Sequence, residues 1–284
     1  MTQEPPKTPG KNQPDTNTED TMLNHLTVTR DEWLQARTAL LAKEKAFTKM
    51  RDEMSAERQA LPWVKVEKEY IFDGPSGKMS LADLFNGRSQ LFIKHFMMGP
   101  GQAQQCVGCS LEVDHLKGIL VHLQNHDVSY VAVARAPIQE INNVRRRMGW
   151  EFPWVSSYNN DFNYDFNVSF HPQELAKGKV YYNYRLADIG MTDLSGDSIF
   201  YRDDDGTIYH TYSTFNRGGE QFLGVYGFLD VMPKGRNETG PNHSLGDWVR
   251  PHNMYGKGGV VEASGRYHPE AEDCGCSSQS KETV

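Results

Sequence analysis

Two closely spaced cysteines are the residues of this chain whose type and spacing could do chemistry. Cys106 and Cys109 stand at the start of a predicted helix, separated by Val107 and Gly108. Two thiols at this spacing can form a disulfide and exchange it with another thiol, but the same pattern also serves as half of a zinc site. The pair therefore predicts either redox chemistry or metal binding.

The start of a helix favours ionisation of Cys106. A thiol reacts as the thiolate, and a free cysteine with a pKa of about 8.5 is mostly protonated at neutral pH. The N–H groups of a first helical turn stabilise a nearby anion by about 0.3 to 2 kcal/mol. Because Cys106 lies at the open end and Cys109 one turn further in, we predict Cys106 as the nucleophile. Cys109 would then resolve the mixed disulfide or sulfenic acid.

A second pair, Cys274 and Cys276, lies in a polar C-terminal stretch. A disulfide across one intervening residue closes a tight ring and should be strained and easily reduced. One hypothesis is a redox relay between this pair and the pair Cys106 and Cys109. The alternatives are a loose metal-binding tail or no role.

Zinc is the main rival to redox chemistry. All four cysteines, or the first two with two histidines of the following helix such as His122 and His126, would supply four ligands. His115 lies nearer to the cysteines on the same helix. None of these ligands is held at a fixed zinc-ribbon distance from Cys106 and Cys109, so we expect no metal and no cofactor.

Two charged or titratable residues are candidates for supporting the thiols. His95 is on the strand before the cysteine loop and could act as acid or base, or be a core histidine bonded to a carbonyl. Arg135 ends the next strand at the same edge, where it could stabilise a thiolate or a bound anion.

Aromatic residues alternate with Asn and Asp after residue 149 and could line a substrate groove. The candidates are Trp150, Trp154 and Tyr158. The alternative is an irregular covering that buries these rings on the sheet.

The composition is that of a folded protein without a cationic surface. Of the 284 residues, 38% are hydrophobic, which is ample for a core. The net charge of −7 argues against nucleic-acid binding, which needs a cationic face. No apolar run has the length of a signal-peptide core or a membrane span, so we expect no membrane association and a cytoplasmic protein. The oligomeric state is left open.

Three segments are predicted along the chain: a disordered tail over 1–21, a folded domain over 22–255, and a flexible C-terminal tail over 256–284 that carries the second cysteine pair. Within the domain, helices alternate with apolar strands. The predicted elements are a long amphipathic helix over 27–60 with a Thr29 and Glu32 capping box, a buried strand over 91–98, a helix after Cys106, a strand over 128–134, a helix over 138–148 and a hairpin over 198–212. This alternation predicts an α/β fold whose partly parallel sheet is covered on both faces, with the cysteine loop at the carboxyl ends of the parallel strands.

The order of strand, loop, CxxC and helix resembles that of thioredoxin-like and peroxiredoxin-like proteins. More closely, a series of motifs between residues 26 and 255 is similar to the bacterial family called domain of unknown function 899. The motifs are Cys106-Val107-Gly108-Cys109-Ser110, Arg135-Ala136-Pro137, Arg147-Met148-Gly149-Trp150, Pro153-Trp154-Val155-Ser156-Ser157, Phe162-Asn163, His210-Thr211-Tyr212-Ser213-Thr214 with Arg217-Gly218, and Pro233-Lys234-Gly235-Arg236.

The resemblance implies a thioredoxin-like, three-layer α/β/α core with a mixed sheet, an added N-terminal helix and a C-terminal extension. It also implies a thiol-disulfide oxidoreductase that acts on a disulfide or peroxide substrate and draws on a cellular thiol reductant. One departure concerns the cis-proline that thioredoxins place before the strand facing the disulfide, since 195–198 contain no proline. The alternatives are a thiol peroxidase with Cys106 as the attacking thiolate, and a binding module with structural or zinc-holding thiols.

Overall fold

The computed structural model describes residues 25–102, 104–262 and 264–270. Its helices are α1 (Arg30–Gln59), α2 (Leu81–Leu84), α3 (Val107–Val113), α4 (Leu116–Asn125), α5 (Ile138–Met148), α6 (Phe162–Asp165), α7 (Pro172–Leu175) and α8 (Gly224–Leu229). Its strands are β1 (Val64–Lys65), β2 (Ile71–Gly74), β3 (Gly77–Ser80), β4 (Gln90–His95), β5 (Val128–Ala134), β6 (Trp154–Ser156), β7 (Val180–Tyr182), β8 (Arg185–Ala187), β9 (Gly196–Arg202), β10 (Ile208–Phe215), β11 (Val260–Val261) and β12 (Tyr267–His268).

Eight of these strands form one mixed sheet in the order β1-β10-β9-β4-β5-β6-β2-β3. The central strands β4 and β5 are parallel and are joined through α3 and α4. On the other side of β4, the hairpin β9 and β10 adds antiparallel strands. This arrangement is the thioredoxin-like one, and it confirms the predicted α/β fold with a mixed sheet.

Each face of the sheet is covered by its own apolar cluster. One cluster contains Phe96, Trp154 and both cysteines, and residues of α3 and α5 pack into it. The other contains Phe200 and Phe162, with residues of α2. The two clusters make the three layers that the sequence predicts, because a strand sends alternate side chains to opposite faces.

Local signals place several elements where the sequence predicts them. Thr29 and Glu32 form the capping box that begins α1: the Thr29 hydroxyl accepts from the Glu32 backbone N–H, and the Glu32 carboxylate accepts from the Thr29 backbone N–H. Gly149, with a φ of 65°, ends α5 in the left-handed conformation that glycine adopts readily. Strand β5 and helix α5 have the predicted bounds.

The helix after Cys106 differs from its prediction, since the chain breaks it into α3 and α4 at Asp114 and His115. The carboxylate of Asp114 accepts a hydrogen bond from Trp150 Nε1 and lies at the same distance, 2.7 Å, from His252 Nδ1. These contacts come from residues distant in sequence, so the apolar period of the helix did not reveal the break.

The predicted C-terminal tail is folded over its first part. Strands β11 and β12 pair antiparallel, and Tyr267 is completely buried beside Val107 and Val249. Residues 256–262 and 264–270 therefore belong to the folded unit, which corrects the predicted boundary. The predicted disordered segment 1–21 and the pair Cys274 and Cys276 lie outside the described residues.

Candidate active site

Cys106 is the N-cap residue of helix α3. Its side chain accepts a hydrogen bond from the backbone N–H of Cys109, with 3.5 Å between Cys109 N and Cys106 Sγ. The backbone N–H of Met97, just beyond β4, points at Cys109 Sγ at the same distance. Both thiols are free and buried. The strand end and the helix start therefore hold the two sulfur atoms side by side.

The two thiols have pKa values shifted in opposite directions. A hydrogen bond from the Cys109 side chain, with backbone N–H groups of Cys109 and Gly108 and the charge of Lys94, lowers the pKa of Cys106 to about 7. The hydrogen bond to Cys106 and burial raise the pKa of Cys109 well above its usual range. Cys106 is thus the thiol that ionises first.

A buried cluster of three charged residues lies beside the thiols. Lys94 of β4 places its Nζ 2.5 Å from Glu112 Oε2 and 3.2 Å from Asp197 Oδ1. Glu112 is on the same helix as Cys109, and Asp197 is the direct neighbour of Lys94 across β4 and β9. Each of the three side chains is at most 7% exposed.

Burial and charge set the ionisation of this cluster. Burial alone would lower the pKa of Lys94, but the charges of Asp197 and Glu112 outweigh it and raise that pKa well above its usual value. Burial raises the pKa of both carboxyl groups, and most strongly that of Glu112. Lys94 is therefore a fixed cation beside two carboxyl groups that bind a proton more readily than exposed ones.

The thiols and the charged cluster line one cavity of about 360 Å³. The remaining walls come from α3, the start of β9, the turn that follows β10 and the C-terminal part of the chain. These walls contain Gly108, Ser195, Gly196, Asn216, Arg217, Gly219, Glu220, Leu223, Tyr226, Glu238, His243, Ser244, Leu245 and Gly265. Neither the C-terminal walls nor the charged cluster was predicted from the sequence.

Gly265 covers the sulfur of Cys106. The backbone N–H of Val107 donates to the Gly265 carbonyl at 2.8 Å, and Cys106 forms a backbone bridge with Arg266. A Cβ atom on Gly265 would lie 3.4 Å from Cys106 Sγ, and the φ of this residue is 79°. A side chain at this position would therefore strain the backbone, and its Cβ would lie in van der Waals contact with the thiol.

His95 lies on the face of the sheet opposite to Lys94. Its Nε2 is 2.8 Å from the Ser198 hydroxyl, which is 2.8 Å from that of Ser213, and Ser213 is in turn 2.7 Å from His210 Nε2. Burial lowers the pKa of His95 to about 3 and keeps the ring neutral. The structure thus places this candidate among core aromatic rings such as Phe162, away from the cysteines.

Arg135 is occupied by an ion pair. Its Nε and terminal nitrogen donate to the two carboxylate oxygens of Asp193 at 2.8 and 2.7 Å. Ser169 also donates to that carboxylate. Arg135 does not line the cavity of the thiols, and its two-point contact holds the end of β5 to the segment before β9.

The three aromatic candidates occupy two environments. Trp154 is completely buried, and Trp150 is nearly so, in a group of rings with Phe96 and Phe152. Tyr158 is half exposed. None of the three lines the cavity of the thiols.

The sequence contains one signal for the charged cluster that was missed. Lys94 directly follows Leu91, Phe92 and Ile93 in a strand predicted to be buried, and a buried lysine needs a carboxylate partner. Glu112 follows Cys109 by three residues on one helix. Nothing local, however, identifies Asp197 as the second partner.

Residues 25–102, 104–262 and 264–270 contain no group of three or more His, Cys, Asp or Glu side chains placed to hold a metal ion. Over the same residues, no helix combines the length and apolar character needed to cross a bilayer.

The sequence matches one family model, described as bacterial protein of unknown function (DUF899), over residues 22–255. A search of curated proteins found no match.

Solved structures similar to this chain include two peroxiredoxins. Peroxidoxin BcpB from Mycobacterium tuberculosis is 12% identical, with a TM-score of 0.38, and the similarity covers 58% of this chain and 95% of that one. Peroxiredoxin Q from Xanthomonas campestris is 13% identical, with a TM-score of 0.40 and coverage of 58% and 91%. Both TM-scores are below 0.5, so the thioredoxin-like fold is assigned from the strand order of this chain and not from these similarities.

Proposed function

We propose that this chain, which belongs to the bacterial DUF899 family, is a thiol-disulfide oxidoreductase with Cys106 and Cys109 as its redox pair. The observation that carries the proposal is the arrangement of the two thiols. Cys106 begins a helix and has a pKa of about 7, whereas the pKa of Cys109 is raised, and both border one cavity. A nucleophile that is ionised near neutral pH, with a protonated partner beside it, is what disulfide exchange needs.

The reaction takes two exchange steps. The Cys106 thiolate attacks one sulfur of a substrate disulfide and releases the other as a thiolate, which takes up a proton. Cys109 then loses its proton and attacks the Cys106 sulfur of the mixed disulfide, releasing the second substrate thiol. The substrate gains two electrons, the Cys106–Cys109 disulfide forms, and an external dithiol restores the reduced pair.

The buried cluster supports the second step. Cys109 must lose a proton although burial and the Cys106 hydrogen bond raise its pKa. The charge of Lys94 opposes both effects, and the raised pKa of Glu112 makes its carboxylate a good proton acceptor. We assign Lys94 as the residue that stabilises the Cys109 thiolate and Glu112 as the group that accepts its proton.

The cavity favours small substrates. Its volume of about 360 Å³ and the cover of Gly265 over Cys106 restrict access to the sulfur. The same enclosure supports a second candidate, a thiol peroxidase. There Cys106 attacks a peroxide oxygen, an alcohol or water leaves, and Cys109 attacks the resulting sulfenic acid to form the disulfide and water.

We further propose that Cys274 and Cys276 act as a redox relay that exchanges electrons with Cys106 and Cys109. Arg266, which forms a backbone bridge with Cys106, lies eight positions before Cys274. Two cysteine pairs joined through so few residues have an effective concentration for each other on the order of millimolar. We expect Cys274→Ser with Cys276→Ser to slow reduction of the Cys106–Cys109 disulfide by dithiothreitol about three- to tenfold. Unchanged turnover and redox potential would remove the relay and leave the Cys106–Cys109 proposal standing.

The proposal is tested by equilibrating the full chain in glutathione buffers of increasing oxidised fraction, quenching with acid and labelling each thiol with a mass tag. We expect a Cys106–Cys109 disulfide to form over a defined range of redox potential. Thiols that stay reduced in the most oxidising buffer would overturn it. Stoichiometric addition of a small disulfide or of a peroxide to the reduced protein then shows which of the two oxidises the pair faster.

A further inference from the structure

Helix α1 carries an apolar stripe that the rest of the described chain leaves uncovered. The helix extends over 30 residues and none of them is buried. Trp33, Leu40, Phe47, Met54 and Leu61 recur at every seventh position along the helix and just past its end. A seven-residue apolar period keeps one seam of a helix facing a partner helix.

The exposure of these side chains is too large to be incidental. The five are between 43% and 61% exposed. Single exposed apolar residues are common on proteins, but a continuous apolar surface of several hundred Å² marks an interaction site. A helix of this length also takes most of its stability from packing along its apolar face. The stripe therefore needs an occupant.

We propose that this occupant is α1 of a second copy of the chain, packed antiparallel about a two-fold axis at Phe47. The stripe is symmetric about that residue, with Leu40 and Met54 at equal distances on either side and Trp33 and Leu61 further out. The two-fold axis therefore sets Phe47 against Phe47 and Leu40 against Met54 of the second copy. An identical chain supplies the matching seven-residue period, and a two-fold interface uses the same surface twice.

The exposed area agrees with this pairing. Six large apolar side chains are exposed on this side of the helix: Trp33, Leu40, Phe47, Met50, Met54 and Leu61. At about half exposure they offer on the order of 600 Å² per copy, or about 1,200 Å² for two copies, and a specific interface needs roughly 1,000 Å² in total.

The oligomeric state of the full chain tests the proposal. By sedimentation equilibrium we expect a dimer of the 32.3 kDa chain. Phe47→Glu should weaken that dimer on the order of 100-fold, because each dimer carries the change twice at the centre of the interface. Lys45→Glu, on the opposite side of the helix, is the matched control and should remain dimeric, with circular dichroism checking the fold of both variants.

Cysteine crosslinking tests the orientation of the helices. In a background in which the four native cysteines are Ser, Phe47→Cys should form a disulfide dimer under mild oxidation. Leu40→Cys alone should not, but a mixture of Leu40→Cys and Met54→Cys should. A monomeric wild-type chain at all concentrations would overturn the proposal, as would crosslinking of Leu40→Cys alone, which indicates parallel helices. Flotation of a monomeric chain with anionic vesicles would assign the stripe to a membrane surface instead.

Discussion

Lys94 and His95 are consecutive residues of β4, both almost completely buried, and they are accommodated in opposite ways. Lys94 keeps its charge, because Glu112 and Asp197 contact its ammonium group. His95 loses its charge, because burial lowers its pKa to about 3 and its Nε2 contacts the neutral hydroxyl of Ser198. A buried titratable group thus stays charged only where the fold supplies opposite charge.

The difference separates a reactive face of the sheet from a structural one. On the Lys94 face, the charged cluster borders a cavity that also contains Cys106 and Cys109. On the His95 face, two serine hydroxyls connect two histidines with lowered pKa values among aromatic rings. Burial of a titratable group alone therefore does not indicate an active site. An active site is indicated where a cavity, a retained charge and a nucleophile lie together.

The largest expected effect concerns the nucleophile on the reactive face. Cys106→Ser should reduce the rate of small-disulfide reduction on the order of 10⁴-fold, because removal of a covalent nucleophile leaves little residual catalysis. Cys109→Ser should retain the first step and accumulate a mixed disulfide at Cys106, detected by intact-mass spectrometry. If Cys106→Ser kept most of the activity, or if the mixed disulfide formed elsewhere, the assigned roles would be wrong.

The next largest effect is the loss of stability expected when Lys94 or His95 is replaced. Lys94→Met leaves two buried carboxyl groups without their cation and should cost about 3–5 kcal/mol of unfolding free energy. His95→Gln removes a contact between neutral groups and should cost about 1–2 kcal/mol. Urea unfolding at pH 7 measures both variants. Equal losses would contradict the difference between the two faces.

A smaller effect concerns proton transfer. Glu112→Gln removes the proposed acceptor and should slow closure of the Cys106–Cys109 disulfide roughly tenfold, within the usual contribution of general base catalysis. The pH profile of closure should also lose its dependence on the carboxyl group. Glu151→Gln, at an exposed glutamate, is the control and should behave as the wild type in rapid-quench measurements of closure.

The smallest effect is a shift in the ionisation of Cys106. Its pKa is lowered to about 7 chiefly by the Cys109 side chain, so alkylation by iodoacetamide should rise with pH through a midpoint near 7 as the thiolate forms. Cys109→Ala removes that donor, and the midpoint should move to higher pH. A midpoint that stays in place would assign the shift to the helix start alone.

The sequence by itself determined several of the elements and the position of Cys106 and Cys109. Capping residues, apolar periods and turn residues act over a few positions, and so the capping box of α1, the bounds of α5 and the place of Cys106 at a helix start could be predicted. The alternation of strands and helices was sufficient for the fold class.

Only the tertiary structure decided what surrounds the thiols. The contact between Lys94 and Asp197 joins residues 103 positions apart, and the register of β4 on β9 creates it. The cover of Gly265 over Cys106 and the contact of His252 with Asp114 join residues that are still further apart in the chain. Sequence patterns report local preference, whereas the burial of a charge and the approach of a backbone to a sulfur atom are set by how the whole chain packs.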